Sequence, residues 1–173
     1  MRNGTCSSSR TAAPFLFWAS LFTLAAGVFL ARPALASHYS IADVPTIISA
    51  ADAEKLKKAG VNTTEEVLQK AASAKDRKAL AKASGLSAAT VMGIARRCDL
   101  LRVKGIGPEM VLLLEASGVK TTADLAKKDA PALLATADKA NKAKKITEKP
   151  PTEPQFVDWI EQAKKLPPVI EGK

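Results

Sequence analysis

Ala59-Gly60-Val61-Asn62-Thr63-Thr64 and Ser117-Gly118-Val119-Lys120-Thr121-Thr122 are one turn written twice, at an offset of 58 residues. Each copy follows an apolar-periodic segment that ends in a leucine, Leu56 or Leu114, and precedes a second periodic segment. The residues dictate the local chemistry. Gly60 and Gly118 supply the left-handed conformation that ends a helix. Thr63 and Thr121 are N-caps for the next helix, and Glu66 and Asp124, three residues on, complete or mimic a capping box. Two helices joined by a tight turn, twice over, predict an all-α chain built from helical hairpins.

Working outward, residues 73–101 between the copies also read as helical. Gly85-Leu86-Ser87 interrupts them, with Ser87 capping a segment that carries Val91, Ile94, Ala95 and Cys98 at helical spacing. No β pattern of alternating residues is apparent. After Asp138 a lysine stretch (Lys139, Lys142, Lys144, Lys145) reads as a fraying helix end, and Pro150, Pro151 and Pro154 read as an extended connector. A closing amphipathic helix presents Phe156, Val157, Trp159, Ile160, Ala163 and Leu166 on one broad face. Since it holds two of the three aromatics beyond residue 37, it is expected to dock back on the body. The expected organisation is 1–36 a leader, 37–138 the paired hairpins, 139–154 a Lys/Pro-rich connector and 155–173 a C-terminal helix and tail.

Composition describes two objects. The 173 residues carry a net charge of +9, with 47% hydrophobic and 25% charged residues, which is ordinary for a globular chain. Four of the five Phe (Phe15, Phe17, Phe22, Phe29) and Trp18 precede residue 37. That leader has Arg2 and Arg10, an uncharged apolar run from Phe15 to Ala31, and the small-x-small pattern Ala34-Leu35-Ala36, the three parts of a secretory signal. Cleavage after Ala36 gives an exported chain, periplasmic or secreted. The competing expectation is an N-terminal membrane anchor, since Thr11–Ala31 is long enough to span a bilayer. Cleavage leaves Cys98 as the one cysteine, so no intramolecular disulfide is available and a buried structural role is expected for it.

Val103-Lys104-Gly105-Ile106-Gly107-Pro108 is the sharpest local motif. The glycines permit a hairpin too tight for a side chain, Ile106 is expected in the core, and Pro108 suits the first turn of a helix. Backbone amides at a helix N-terminus suit a phosphate oxygen. The candidate phosphate-binding set is Arg102, Lys104, Gly105, Ile106 and Gly107. The counterpart in the first copy, Ile47-Ile48-Ser49, lacks both glycines, and Glu109 places a carboxylate where a phosphate binder favours a cation.

The segment resembles the helix-hairpin-helix motif, whose Gly-hydrophobic-Gly hairpin binds the DNA backbone in many members without reading sequence, sometimes with a metal ion at the hairpin. The resemblance extends from about Tyr39 to Leu166. Residues 99–107, 117–122, Leu125-Ala126 and 157–167 are similar to an uncharacterised bacterial family of tandem helix-hairpin-helix units. It implies tandem hairpin units with the last helix packed on them, and carries no activity with it.

Basic clusters at Lys55, Lys57 and Lys58, at Arg96 and Arg97, and in the lysine stretch fit a polyanionic partner bound without sequence preference. Scarce aromatics disfavour stacking on single-stranded bases and leave duplex DNA backbone or another polyanion as the nucleic-acid expectation. The alternative is a protein-interaction or scaffold module of the cell envelope. Catalysis has no candidate residue set. His38, the one histidine, lies beside the expected mature N-terminus, and there is no Cys/His metal spacing or phosphate loop. A non-enzymatic protein is expected, with no cofactor, no metal and no small-molecule substrate. Intact-mass measurement of protein recovered from the cell envelope checks the leader: a chain beginning at Ser37 is expected, whereas full-length chain found only in membranes identifies an anchor.

Overall fold

The computed structural model describes residues 39–171. The leader, its cleavage site and His38 lie outside them. The described chain is all-helical: α1 Ala50–Lys58, α2 Thr64–Lys70, α3 Ala74–Ser84, α4 Ala88–Leu100, α5 Pro108–Ala116, α6 Thr122–Leu125, α7 Ala130–Lys144 and α8 Glu153–Lys165. No helix among them is long and apolar enough to cross a membrane.

Both copies of the repeated turn close by the same hydrogen bonds. Gly60 N–H donates to Lys57 O (2.9 Å) and Val61 N–H to Leu56 O (3.0 Å), and in the second copy Gly118 N–H donates to Glu115 O (3.1 Å) and Val119 N–H to Leu114 O (2.9 Å). This pair of bonds defines the Schellman end of a helix, and it needs a left-handed residue at the glycine. Gly60 has φ +73° and Gly118 φ +81°. The accompanying apolar contact is also in place, because Leu56, Val61, Leu114 and Val119 are all buried. Thr63 and Thr121 then cap α2 and α6, accepting from Glu66 N–H and Asp124 N–H. Glu66 reaches back to the amides of Asn62 and Thr63, whereas the shorter Asp124 reaches only Lys120 N–H. Gly85 and Ser87 end α3 and cap α4 as their types require.

α4 packs on α2 and α3, α7 packs on α5 and α8, and α8 also covers α6. Their apolar faces form one cluster that runs from Ile41 to Ala163. The final helix docks on the body, with Phe156, Trp159, Ile160 and Ala163 buried at helical spacing and the Phe156 and Trp159 rings edge to face at 5.5 Å. Val157 corrects the broad face expected from sequence. It is 48% exposed, because one residue past Phe156 turns it about 100° off the buried stripe. The lysine stretch is helical through Lys144, so the expected boundary at 138 falls inside α7. Lys145 ends that helix at φ +50°, and Asn141 caps the connector by accepting from the amides of Ile146 and Thr147.

One feature of the edge lies beyond helical patterning. Residues 39–41 run antiparallel to the first turn, with Ile41 N–H donating to Asn62 O (2.9 Å) and Thr64 N–H to Tyr39 O (3.0 Å). The segment ties the start of the body to its first hairpin.

The two glycine environments give opposite mutational signs. Nothing lies within 4 Å of a Cβ added at Gly118, so Gly118→Ala is penalised by its positive φ alone, by about 1 kcal/mol. Gly93, inside α4 with equally open space, gains from alanine by a similar amount. Thermal melts of the two variants should therefore move in opposite directions.

Candidate functional site

The Gly105-Ile106-Gly107 hairpin joins α4 to α5, and the structure separates its residues into different roles. Ile106 is 2% exposed, and its N–H donates to Val103 O (3.1 Å), closing the turn over the core. Gly105 stands at φ +92° with Trp159 Nε1 3.0 Å from where a Cβ would lie, so both backbone conformation and space disfavour a side chain there. Gly107 is the N-cap of α5, has no side chain with which to cap it, and precedes Pro108 at the first helical position. Lys104 and Gly105 are exposed.

The backbone at Lys104 already has a partner. Gln162 of α8 lays its side-chain amide across it, accepting from Lys104 N–H (2.9 Å) and donating to Lys104 O (3.2 Å). A second bond from Gln162 Nε2 to Asp158 (2.8 Å) holds that amide in place. The hairpin is therefore the seat on which α8 rests, through Gln162 on one residue and Trp159 on the next. Sequence reading did not identify either contact, since 58 positions separate Lys104 from Gln162 and neither residue type announces the pairing. Glu109, the carboxylate beside the hairpin, accepts from Thr147 Oγ1–H of the connector (3.0 Å).

Arg102 is not on the hairpin's outer surface. Its side chain is 5% exposed and forms an ion pair with Asp99 at 2.8 Å, while Nη1 and Nη2 both donate to Pro167 O at 3.1 Å. Asp99 is 3% exposed and accepts through its other oxygen from Thr122 N–H (2.8 Å) and Thr122 Oγ1–H (2.9 Å). The guanidinium thus fastens the chain beyond α8, and the outward face of the hairpin retains Lys104, Gly105 and Gly107 from the candidate set. Arg97, another of the basic residues, donates to Glu115 of α5 (3.0 Å) and to Ile47 O (2.9 Å), bridging the two halves of the repeat.

Cys98 is 1% exposed. Burial pushes its thiol up to about 12, the charge of Asp99 adds to the effect, and Arg97 opposes it. The group stays a neutral, inert thiol at any physiological pH. Among the described residues no group of three or more His, Cys, Asp or Glu side chains is placed to hold a metal ion.

The Asp99–Arg102 pair yields a test that separates structure from ligand contact. Removing one partner of a buried pair leaves the other charged and uncompensated, a loss of about 3 kcal/mol. Arg102→Met should lower the melting temperature strongly, whereas a residue serving only a surface ligand leaves it unchanged.

No curated protein and no solved structure matches the chain. A family described as Domain of unknown function (DUF4332) matches residues 46–166, from the turn before α1 to the end of α8. With the repeated turns, the hairpin and the docked last helix all inside that match, the chain belongs to the DUF4332 family.

Proposed function

We propose that this protein is an exported, non-enzymatic binding module of tandem helix-hairpin-helix units that holds the backbone of duplex DNA at its second hairpin. The observation that carries the reading is the difference between the two hairpins. In the first copy Ser49 Oγ accepts from Asp52 N–H (3.1 Å) and closes the N-terminus of α1. At the equivalent position of the second copy Gly107 offers no side chain, so no side chain caps the first turn of α5, and the amides that follow Pro108 have no capping partner there. A helix N-terminus left open beside an exposed lysine is suited to a phosphate oxygen.

The contact set is narrower than the sequence motif. Lys104 contributes its ammonium, and Gly107, with nothing within 4 Å of where a Cβ would lie, allows close approach of a backbone, whereas the space beside Gly105 is taken by Trp159. Arg102 and Ile106 hold the hairpin in shape from beneath. Glu109 opposes an anion at the same place, which keeps the expected affinity low, and the single lysine contributes about one counterion of salt dependence. The signal-like leader supports export to the periplasm or beyond, and the absence of any candidate catalytic set in the sequence supports a binding role.

A second reading has an observation of its own. The hairpin backbone already receives a helix through Gln162 and Trp159, so the same geometry serves docking of protein on protein. On that reading the chain is an interaction or scaffold module of the envelope.

Titration of the full chain with a short DNA duplex at low and moderate salt distinguishes them. Binding that weakens with salt, falls in Lys104→Glu, and loses roughly one counterion of salt dependence in that variant is expected for the DNA reading. The lysine is exposed, so its substitution should change stability by no more than about 0.5 kcal/mol. An absence of duplex binding at low salt rejects the DNA reading and leaves the scaffold one.

A further inference from the structure

We propose that the groove between α4, the second repeated turn and the chain beyond α8 is an anion site for a multiply charged phosphate group, separate from the hairpin. The groove is open to solvent on one side and has a volume of about 590 Å³. Arg96 of α4, Lys120 of the turn, and Lys127 and Lys128 just after α6 line it, with Val169 and Ile170 as an apolar wall. No ion pair among the described residues engages any of these four cations. Arg96 is half-buried and has no carboxylate partner among the described residues. Two acids also line the groove: Asp99 is paired with Arg102 and bonded to Thr122, while Asp124 accepts only from the neutral amide of Lys120 and keeps its charge, so four cations face one uncompensated carboxylate.

The repeat supplies an internal control. Lys120, Ala123, Lys127 and Lys128 occupy the positions that Asn62, Glu65, Gln69 and Lys70 hold in the first copy. The first set is neutral overall and the second carries three positive charges. Both turns close by the same backbone bonds, so the fold does not require those charges. Lys70 has a local task, since its Nζ donates to Gly60 O at 2.7 Å. Lys128 makes no such bond among the described residues. Cations concentrated in one concavity repel one another and raise the local concentration of anions. A phosphate bearing two or more charges relieves that repulsion, and Val169 and Ile170 add an apolar surface for an organic body attached to it. The volume falls in the range of small-ligand clefts. The phosphate arrives either on a free small molecule or on a nucleic-acid backbone that reaches past the hairpin.

The proposal does not depend on the hairpin reading, and the experiment keeps them apart. The full chain is titrated with tripolyphosphate and, separately, with a short DNA duplex. The variant Lys120→Asn/Lys127→Gln carries the first copy's side chains, and Lys55→Gln/Lys58→Gln removes the same charge from the exposed face of α1. The first variant is expected to keep the wild-type melting temperature and to weaken tripolyphosphate binding by about tenfold, with the α1 variant changing it by less than about twofold. If only the duplex binds, and the groove variant weakens it where the α1 variant does not, the site stands and the nucleic acid is the source of the phosphate. Equal weakening by the two variants overturns the proposal in favour of general basicity. Failure of the groove variant to affect either ligand also overturns it, and loss of duplex binding in Lys104→Glu alone then leaves the hairpin reading intact.

Discussion

One carboxylate fixes where four segments in the second half of this molecule meet. Asp99, at the end of α4, pairs with Arg102 through one oxygen and accepts both the amide and the hydroxyl of Thr122 through the other. Arg102 passes the constraint on to the carbonyl of Pro167. Four segments are fixed by this cluster: the end of α4, the approach to the hairpin, the start of α6 and the chain leaving α8. A buried ion pair gives little net stability against an apolar replacement of the same shape, but it tolerates few geometries. Its effect is to specify where these segments meet. The first copy solves the same problem differently, with Thr64 bonded by the backbone of Tyr39.

The divide between what was legible in the sequence and what was not follows the reach of each interaction. A helix end is decided within about six residues, so Gly60, Gly118, Thr63, Thr121, Gly85 and Ser87 could be assigned from their types and spacing alone. The docking of α8 was legible too, because Phe156, Trp159, Ile160 and Ala163 repeat at helical period. Val157 was not, because a broad apolar run does not state its own centre. Of the candidate site, the shape of the hairpin was visible and the fate of its polar groups was not. Arg102 reads as a surface cation until Asp99 and Pro167 are placed around it. Gln162 has no sequence signal that points it at Lys104 across 58 positions. Interactions that depend on tertiary placement leave no periodic trace.

The two copies share a backbone and differ in surface chemistry, and the difference runs in one direction. The first copy closes itself: Ser49 caps α1, Lys70 binds the carbonyl of Gly60, and Glu66 collects two amides. The second leaves Gly107 without a cap and carries Lys120, Lys127 and Lys128 with no ion-pair partner among the described residues. Self-satisfied groups stabilise a fold and attract nothing. Open amides and unpaired cations add little to stability and remain available to a ligand. On the proposed reading, the first copy is the scaffold and the second is where a ligand would bind.

That division also bears on how a polyanion would be held. At the hairpin the attraction comes from aligned backbone dipoles and a single lysine, with Glu109 opposing, so it is short in range and sensitive to the position of one phosphate. In the groove it comes from four side-chain cations around a concavity, with Asp124 opposing, so it acts over about a Debye length and tolerates different phosphate arrangements. The rigid seat beneath both is the same Asp99–Arg102–Thr122 cluster, which places the hairpin at the end of α4 and the groove at the start of α6. A ligand that loosens either element therefore works against a buried ion pair, and one that leaves both in place binds a surface already formed.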